Sequence, residues 1–227
     1  MTAKDTTAPE GKAHPGKNEE QALTGLIFDC DGVLFDSKEA NTAYYNHIRS
    51  AVSLPPMTQD EAAYSHMVSA DEALERMIPK ELQEKAKIAR DKTKYRDTFM
   101  ALMQPEPHML SFLQSMKKNG IRLALCTNRS DSVHDVLHHF GLEDIFSPVM
   151  TITHAPPKPD PHGLLKIIGA WETTQASVAF VGDSLVDQLA ADAAKVPFWS
   201  FANPQLSARL HVSSFKELTE LMQPMFV

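Results

Sequence analysis

The fold is decided by the stretch Leu26–Ser37, whose sequence is LIFDCDGVLFDS. The apolar residues before Asp29 predict a short buried strand that leaves the core at that aspartate. Asp29 and Asp31 are two residues apart and therefore point to the same side of an extended chain. Two carboxylates about 4 Å apart repel each other by about 4 kcal/mol at an effective dielectric constant of about 20. A cation or a shared proton is therefore expected beside this stretch.

The composition of the chain excludes several classes of protein. The 227 residues are 43% hydrophobic and carry a formal net charge of −7. The absence of a long basic tract argues against unaided nucleic-acid binding. Two cysteines, Cys30 and Cys126, do not make a disulfide scaffold, and no apolar run is long enough to span a bilayer. We therefore expect a cytoplasmic monomer or homodimer with no nucleic-acid or membrane partner.

The order of the predicted elements indicates an α/β protein. Residues 1–21 are polar and predict a disordered N-terminal tail. Residues 37–104 show helical patterns alone, including a long helix from about Glu81 to Met103. After them, short apolar strands alternate with helices, and the last strand is expected at Val196–Phe201. We predict a doubly wound, Rossmann-like parallel sheet from residues 22–36 and 105–227, with residues 37–104 inserted as an all-helical cap domain.

Polar residues follow the predicted strands at the ends where ligands bind. They are Asp29, Asp31, Thr127, Lys158 and Asp183. Ligands of parallel sheets bind beyond the carboxyl ends of the strands, so these side chains are expected on one rim. A carboxylate cluster without a histidine or cysteine set suits Mg²⁺ rather than zinc. Mg²⁺ with a lysine and a hydroxyl suits a phosphate group, whose phosphorus an aspartate can attack.

These residues resemble the four motifs of the haloacid dehalogenase superfamily of phosphohydrolases. The motifs are, in chain order, Asp29-Cys30-Asp31-Gly32-Val33, Thr127-Asn128, Lys158 in a Lys-Pro-Asp-Pro run, and Gly182-Asp183-Ser184-Leu185-Val186-Asp187. The resemblance covers the chain from about residue 23 to its last residue. It implies a Mg²⁺-dependent phosphatase that acts through an aspartyl-phosphate intermediate. The helical block after the first motif resembles the small helical cap of that superfamily.

The resemblance also implies a role for each matching residue. Asp29 would be the nucleophile, and Asp31 would be the general acid and then the general base. Mg²⁺ would be held by the carboxylates of Asp29 and Asp183 and by the backbone carbonyl of Asp31. Lys158 would steady the nucleophile. The phosphoryl group would be bound by Thr127, Asn128 and Gly32. The metal and the lysine would be held in place by Asp187 and Ser184.

The substrate depends on the predicted cap. The residue sequence of the first motif and the size of the cap are similar to those of phosphoglycolate phosphatases and β-phosphoglucomutases. In such relatives the loop at residues 65–70 touches the substrate, so His66 and Ser69 are candidate specificity residues. Arg129 is a candidate contact for a substrate carboxylate or phosphate, and the alternative for it is a solvent-facing residue at a helix start. Mutases carry a lysine and an arginine where this chain has His66 and Ala70.

A small phosphorylated metabolite of the phosphoglycolate type is therefore the favoured substrate. A phosphosugar phosphatase or a β-phosphoglucomutase is the alternative among enzymes. An alternative of another class is a metal-binding regulatory protein that keeps the scaffold without turnover.

Overall fold

A computed structural model describes residues 22–130 and 132–226 of the chain. The tail predicted to be disordered, residues 1–21, lies outside the described residues. The strands are β1 (Gly25–Phe28), β2 (Phe35–Asp36), β3 (Gln104–Pro105), β4 (Arg122–Cys126), β5 (Val149–Met150), β6 (Val178–Gly182), β7 (Phe198–Phe201) and β8 (Leu210–Val212). The helices are α1 (Lys38–Ala51), α2 (Gln59–Ser65), α3 (Ala70–Met77), α4 (Gln83–Lys92), α5 (Tyr95–Thr98), α6 (Met109–Lys118), α7 (Ser132–His139), α8 (His162–Ala170), α9 (Leu185–Ala194) and α10 (Phe215–Met222). None of the described helices is long and apolar enough to cross a membrane.

Within the described residues, six strands form one parallel sheet in the order β5-β4-β1-β6-β7-β8. Its middle strand β1 pairs with β4 on one side and with β6 on the other, and Phe28 aligns with Leu125 and Val181. Parallel strands end at the same edge of a sheet, so the residues that follow β1, β4 and β6 lie on one rim. The predicted doubly wound α/β sheet is confirmed.

Apolar side chains of β1 alternate between the two faces of the sheet, as the period of a strand requires. On one face Phe28 contacts Phe112, Phe146 and Phe215, with ring centroids 6.4, 6.3 and 6.2 Å away. On the other face Ile27 belongs to a separate buried cluster with residues of α8 and α9. Helices thus cover both faces, and β1 is buried throughout.

The helices α1–α5 lie between β2 and β3, and we call them the helical insert. β2 and β3 pair antiparallel, so the chain leaves the sheet and returns to it at one point. The insert has a buried cluster of its own, in which Ile48, Ala73 and Ile78 are at most 2% exposed. The boundaries predicted for the tail, the core and the cap stay predictions.

The structure departs from the sequence-based expectation in two places. The long helix predicted from Glu81 to Met103 is wrong, because Thr93 adopts an extended backbone and ends α4. The break turns Tyr95 toward α1, where its hydroxyl donates to Asn41 Oδ1 at 2.8 Å. The expectation that β7 is the last strand is also wrong. The later strand β8 has only three residues, too few for an alternating pattern to reveal it.

Replacement of Phe215 by alanine tests the packing of the larger core. Phe215 is fully buried and contacts Phe28, Phe112 and Phe201. Phe215→Ala should lower the free energy of unfolding by about 3–5 kcal/mol, because it leaves a cavity. Leu221 lies on the same helix and is 46% exposed, so Leu221→Ala should cost only about 0.5 kcal/mol. Urea unfolding measures both variants, and similar losses would contradict this description of the core.

Candidate active site

A buried lysine lies between two aspartates at the carboxyl edge of the sheet. Nζ of Lys158 is 2.7 Å from Oδ1 of Asp29, which follows β1, and 2.6 Å from Oδ1 of Asp187 in α9. The exposed fractions of these side chains are 4%, 10% and 0%. An unpaired ion at such depth costs several kcal/mol, so these charges depend on one another. The fold thus brings together three of the predicted site residues.

Burial and neighbouring charges shift the pKa values in this cluster. Burial raises the pKa of Asp29 to about 7, against the lowering effect of Lys158. Burial raises the pKa of Asp183 to about 8, and the carboxylates of Asp187 and Asp29 add to this rise. Burial disfavours the ammonium of Lys158, but the two neighbouring aspartates outweigh it and raise the pKa of Lys158. The lysine is therefore held as a cation among more carboxylates than it neutralises.

Asp29, Asp183 and Asp187 form the candidate metal centre, with one oxygen of each within 4.8 Å of the others. Both oxygens of Asp187 are engaged, since Oδ1 faces Lys158 and Oδ2 accepts from the N–H and hydroxyl of Ser184 at 3.0 and 2.5 Å. No group of residues 22–130 and 132–226 donates a hydrogen bond to the Asp183 carboxylate. Asp29 and Asp183 thus keep free oxygens, and this all-oxygen donor set fits Mg²⁺. These contacts agree with the prediction that Asp187 and Ser184 hold the lysine and the metal site in place without being the main metal ligands.

Gly32 makes room for the Asp183 carboxylate. Its φ is 77°, and a Cβ at this position would lie 2.1 Å from Asp183 Oδ2. Glycine alone is compatible with both conditions. The N–H of Gly32 donates to the carbonyl of Phe35 at 2.8 Å, so it does not point to a phosphate. These contacts give Gly32 a positioning role, and its phosphate-binding role stays a prediction.

Thr127 and Asn128 follow β4 at the same edge. Oγ1 of Thr127 accepts from the N–H of Arg129 at 3.1 Å, which leaves its hydroxyl proton for a ligand. The Asn128 side chain has no such freedom. Its Nδ2 donates to the carbonyls of Met67 and Lys158, both at 3.1 Å, and its Oδ1 accepts from the N–H of Lys158 at 2.7 Å. The Asn128 side chain thus fixes the lysine loop and ties it to the helical insert. The phosphate-binding role of Asn128 stays a prediction, and it would fall to the backbone of this residue.

Asp31 lies in a different environment from Asp29. Arg129 binds its carboxylate through two hydrogen bonds of 2.7 Å, from Nε to Oδ2 and from Nη2 to Oδ1. The hydroxyl of Ser37 also donates to Oδ1. Burial alone would raise the pKa of Asp31, but Arg129 and Ser37 outweigh it and hold that pKa below its usual value. The solvent-facing alternative for Arg129 is wrong, since its side chain is 9% exposed.

A cavity of about 470 Å³ lies between this edge of the sheet and the helical insert. Asp29, Asp31 and Arg129 line it from the core, and His66 lines it from the insert. Burial lowers the pKa of His66, so a neutral ring faces the cavity at neutral pH. Ser69 does not line the cavity, and its hydroxyl caps α3 by accepting from a backbone N–H at 3.3 Å. The cavity therefore lends no support to the substrate contact predicted for Ser69, which stays a prediction.

The sequence-based prediction misses the side chains of the insert that reach Arg129. Nη2 of Arg129 donates to Asn41 Oδ1 at 3.2 Å and to the hydroxyl of Tyr95 at 3.3 Å. The sequence contains one indication of this network. Ser37 and Asn41 are four residues apart at the start of the helix after the first motif, which places both on the side that faces Asp31.

The metal-free protein should lose stability as the pH rises from about 5 to about 8. The pKa values of Asp29 and Asp183 are about 7 and about 8 in the folded protein, above the value of about 4 in an unfolded chain. These two acids therefore favour folding when protonated, and the contribution disappears as the pH passes through the folded-state values. Asp183→Asn should flatten this dependence.

Urea unfolding in the presence of a chelator measures the pH dependence. Asp192→Asn is the matched control, because Asp192 is an exposed aspartate on α9. Parallel pH profiles for the wild type and Asp183→Asn would contradict the description of the carboxylate cluster.

Known proteins similar to this chain share a family. Residues 26–201 match the haloacid dehalogenase-like hydrolase family. The chain is 32% identical over 180 residues to a phosphoglycolate phosphatase from Agrobacterium fabrum. The aligned region covers 75% of this chain and 77% of that protein. It is 29% identical over 191 residues to a phosphoglycolate phosphatase from Rhodospirillum rubrum, with 76% of each chain covered.

Solved structures share the fold. A haloacid dehalogenase superfamily hydrolase of subfamily IA from Geobacter sulfurreducens has a TM-score of 0.77 and 34% identity, over 88% of this chain and 100% of that one. A β-phosphoglucomutase from Clostridium difficile has a TM-score of 0.77 over 90% and 97% of the two chains, and at 20% identity it shows likeness of fold alone. The predicted family is confirmed, and the predicted phosphatase class agrees with the phosphatases among these relatives. The chain belongs to the haloacid dehalogenase-like hydrolase family.

Proposed function

We propose that this hydrolase is a Mg²⁺-dependent phosphatase of a small phosphorylated carboxylate, with phosphoglycolate as the best candidate. The observation that carries the proposal is the environment of Asp29. Its buried carboxylate lines the cavity, lies 2.7 Å from Lys158 and has the unengaged carboxylate of Asp183 within 4.8 Å. A nucleophile, a cation and a place for a second cation thus meet at one end of a cavity.

The proposed reaction has two halves. The second half restores the free carboxylate of Asp29 and the proton of Asp31 that the first half uses. In the first half, the free oxygen of Asp29 attacks phosphorus, the bond from phosphorus to the ester oxygen breaks, and that oxygen takes a proton from Asp31. An alcohol leaves, and the phosphoryl group remains on Asp29. In the second half, Asp31 takes a proton from water as the water oxygen attacks phosphorus. The bond to Asp29 then breaks, and inorganic phosphate leaves.

The other groups of the site bind and neutralise the phosphoryl group. The hydroxyl of Thr127 and the N–H of Asn128 would donate to its oxygens, roles taken from the family resemblance. Lys158 stays a cation beside Asp29 throughout. Mg²⁺ would be held by Asp29, by Asp183 and by the backbone carbonyl of Asp31, a set taken from the family resemblance. When bound, this ion offsets the negative charge of the phosphate and of the carboxylates.

Three observations support a phosphoglycolate-type substrate. Two relatives that each align with about three quarters of this chain are phosphoglycolate phosphatases. The cavity of about 470 Å³ suits a small metabolite. It is also lined by the nearly buried guanidinium of Arg129, which suits a second anionic group.

The alternatives have less support. A mutase must hold a second phosphate, and the positions that carry a lysine and an arginine in mutases are His66 and Ala70 here. A regulatory protein without turnover would not need the nucleophile, the lysine and the acidic cluster to be kept together. The cytoplasmic location and the monomeric or homodimeric state stay predictions.

Asp29→Asn should lower the rate of phosphoglycolate hydrolysis by about 1000-fold or more, because an amide is a poor nucleophile toward phosphorus. Asparagine has nearly the same shape, so the fold should be kept. Release of inorganic phosphate in the presence of Mg²⁺ measures the rate, with Asp192→Asn as a control that keeps activity. Equal rates in the wild type and Asp29→Asn would refute the nucleophile. A wild type that hydrolyses no phosphate ester would refute the phosphatase.

Mg²⁺ should raise the melting temperature of the wild-type protein, because an ion that binds only the folded state stabilises it. The gain is about 2.7 kcal/mol at a concentration 100 times the dissociation constant. Asp183→Asn should abolish most of this rise, and Asp192→Asn should retain it. Thermal unfolding with and without Mg²⁺ measures the effect. An undiminished rise in Asp183→Asn would place the ion elsewhere.

A further inference from the structure

The ion pair between Arg129 and Asp31 engages the group that the proposed reaction needs for proton transfer. Oδ2 of Asp31 accepts from Nε of Arg129, and Oδ1 accepts from Nη2 of Arg129 and from the hydroxyl of Ser37. A carboxylate that accepts these hydrogen bonds at both oxygens is held in its ionised form, so it has no proton to give to the ester oxygen of a substrate. Asp31 is therefore withheld from the reaction until Arg129 finds another partner.

Arg129 has hydrogen-bond donors to spare. A guanidinium has five N–H donors. Those on Nε and Nη2 reach Asp31, Asn41 and Tyr95, whereas no described residue accepts a hydrogen bond from Nη1. The side chain is 9% exposed and lines the cavity. A nearly buried guanidinium with an open edge suits a carboxylate, since its planar fork binds the two oxygens together.

The other cations that line the cavity are less suited to a small anion. Lys158 is held between two aspartates. The side chains of Arg90 and Arg96 are 34% and 57% exposed, so water competes there with an anion more than it does at Arg129. Lys94 is also exposed to water. Arg129 is therefore the cation that a second anionic group of a substrate would meet on the Asp31 side of the cavity.

We propose that the carboxylate of the substrate binds Arg129 in place of Asp31, and that this exchange releases Asp31. The released carboxylate takes up a proton from water and can then give it to the ester oxygen. The inference rests on the proposed function and adds a reason for selectivity. The contact that recognises the acid end of the substrate also makes the proton-transfer group available. A phosphate ester without a second anion leaves Arg129 on Asp31 and is hydrolysed slowly.

The helical insert holds the guanidinium during this exchange. The hydrogen bonds from Nη2 to Asn41 and to Tyr95 do not involve Asp31. The ring of Tyr95 also lies 5.0 Å from the guanidinium carbon. Arg129 can therefore change its anionic partner without losing its place at the wall of the cavity.

The test compares phosphoglycolate with ethyl phosphate, which has the same two-carbon frame and no carboxylate. With Mg²⁺ present, the wild-type kcat/KM should be about 10- to 100-fold higher for phosphoglycolate, the value of charge-assisted hydrogen bonds to one carboxylate. Arg129→Gln should lower kcat/KM for phosphoglycolate by about this factor and raise kcat/KM for ethyl phosphate, because no guanidinium then holds Asp31. An unchanged value for ethyl phosphate would show recognition of the carboxylate without release of Asp31 and would overturn the exchange. Arg129→Lys keeps the charge without the fork and should retain part of the preference.

Arg90→Gln is the matched control, because it removes another cation that lines the cavity, and it should change both esters by the same factor. For each variant, both esters are measured on one preparation. Partial unfolding then lowers kcat/KM for both esters equally and leaves the ratio of the two values unchanged. Equal losses for the two esters in Arg129→Gln, or no preference in the wild type, would overturn the exchange and leave the phosphatase intact. A wild type that hydrolyses neither ester would refute the proposed function, and the exchange with it.

Discussion

The ion pairs of Lys158 with Asp29 and Asp187 are the interactions on which the rest of the site depends. Carboxylates buried at the end of a sheet are stable only if cations neutralise them. Neighbouring parts of the fold place this lysine. Asn128 fixes its backbone, the first turn of α9 orients Asp187, and the central position of β1 brings Asp29 to the same edge. One lysine does not neutralise three carboxylates, so the same cluster also creates the demand for a metal ion.

Two aspartates separated by one residue acquire opposite properties in this fold. Repulsion between Asp29 and Asp31 predicts one cation or one proton shared by the pair. The structure instead provides each aspartate with a cation of its own, Lys158 for Asp29 and Arg129 for Asp31. The pKa of Asp29 is raised by burial, whereas that of Asp31 is lowered by Arg129. In the metal-free protein these shifts are opposite to those that the proposed tasks require, because attack on phosphorus needs an ionised Asp29 and proton donation needs a protonated Asp31. A bound Mg²⁺ would favour the ionised form of Asp29, and separation of Asp31 from Arg129 would favour its protonated form.

The sequence predicts the positions of the site residues that come directly after a strand. Asp29, Thr127 and Asp183 come directly after apolar runs, and the parallel sheet places such residues on one edge whatever the details of packing. Side-chain contacts between distant segments are not encoded in any local pattern. The pairing of Arg129 with Asp31, the use of the Asn128 amide on backbone carbonyls and the break before Tyr95 therefore emerge only from the structure. Ser69 shows the same limit, because a residue that caps a helix and one that binds a substrate look alike in sequence.

In the proposed reaction, Asp29 carries the phosphoryl group between the two halves. Borohydride reduces an acyl-phosphate to an alcohol, so trapping during turnover with phosphoglycolate and Mg²⁺ should convert Asp29 to homoserine. Peptide mass spectrometry locates the converted residue. Conversion is expected at position 29 and should require both substrate and Mg²⁺. Conversion at another carboxylate, or turnover without conversion at any residue, would contradict this role of Asp29.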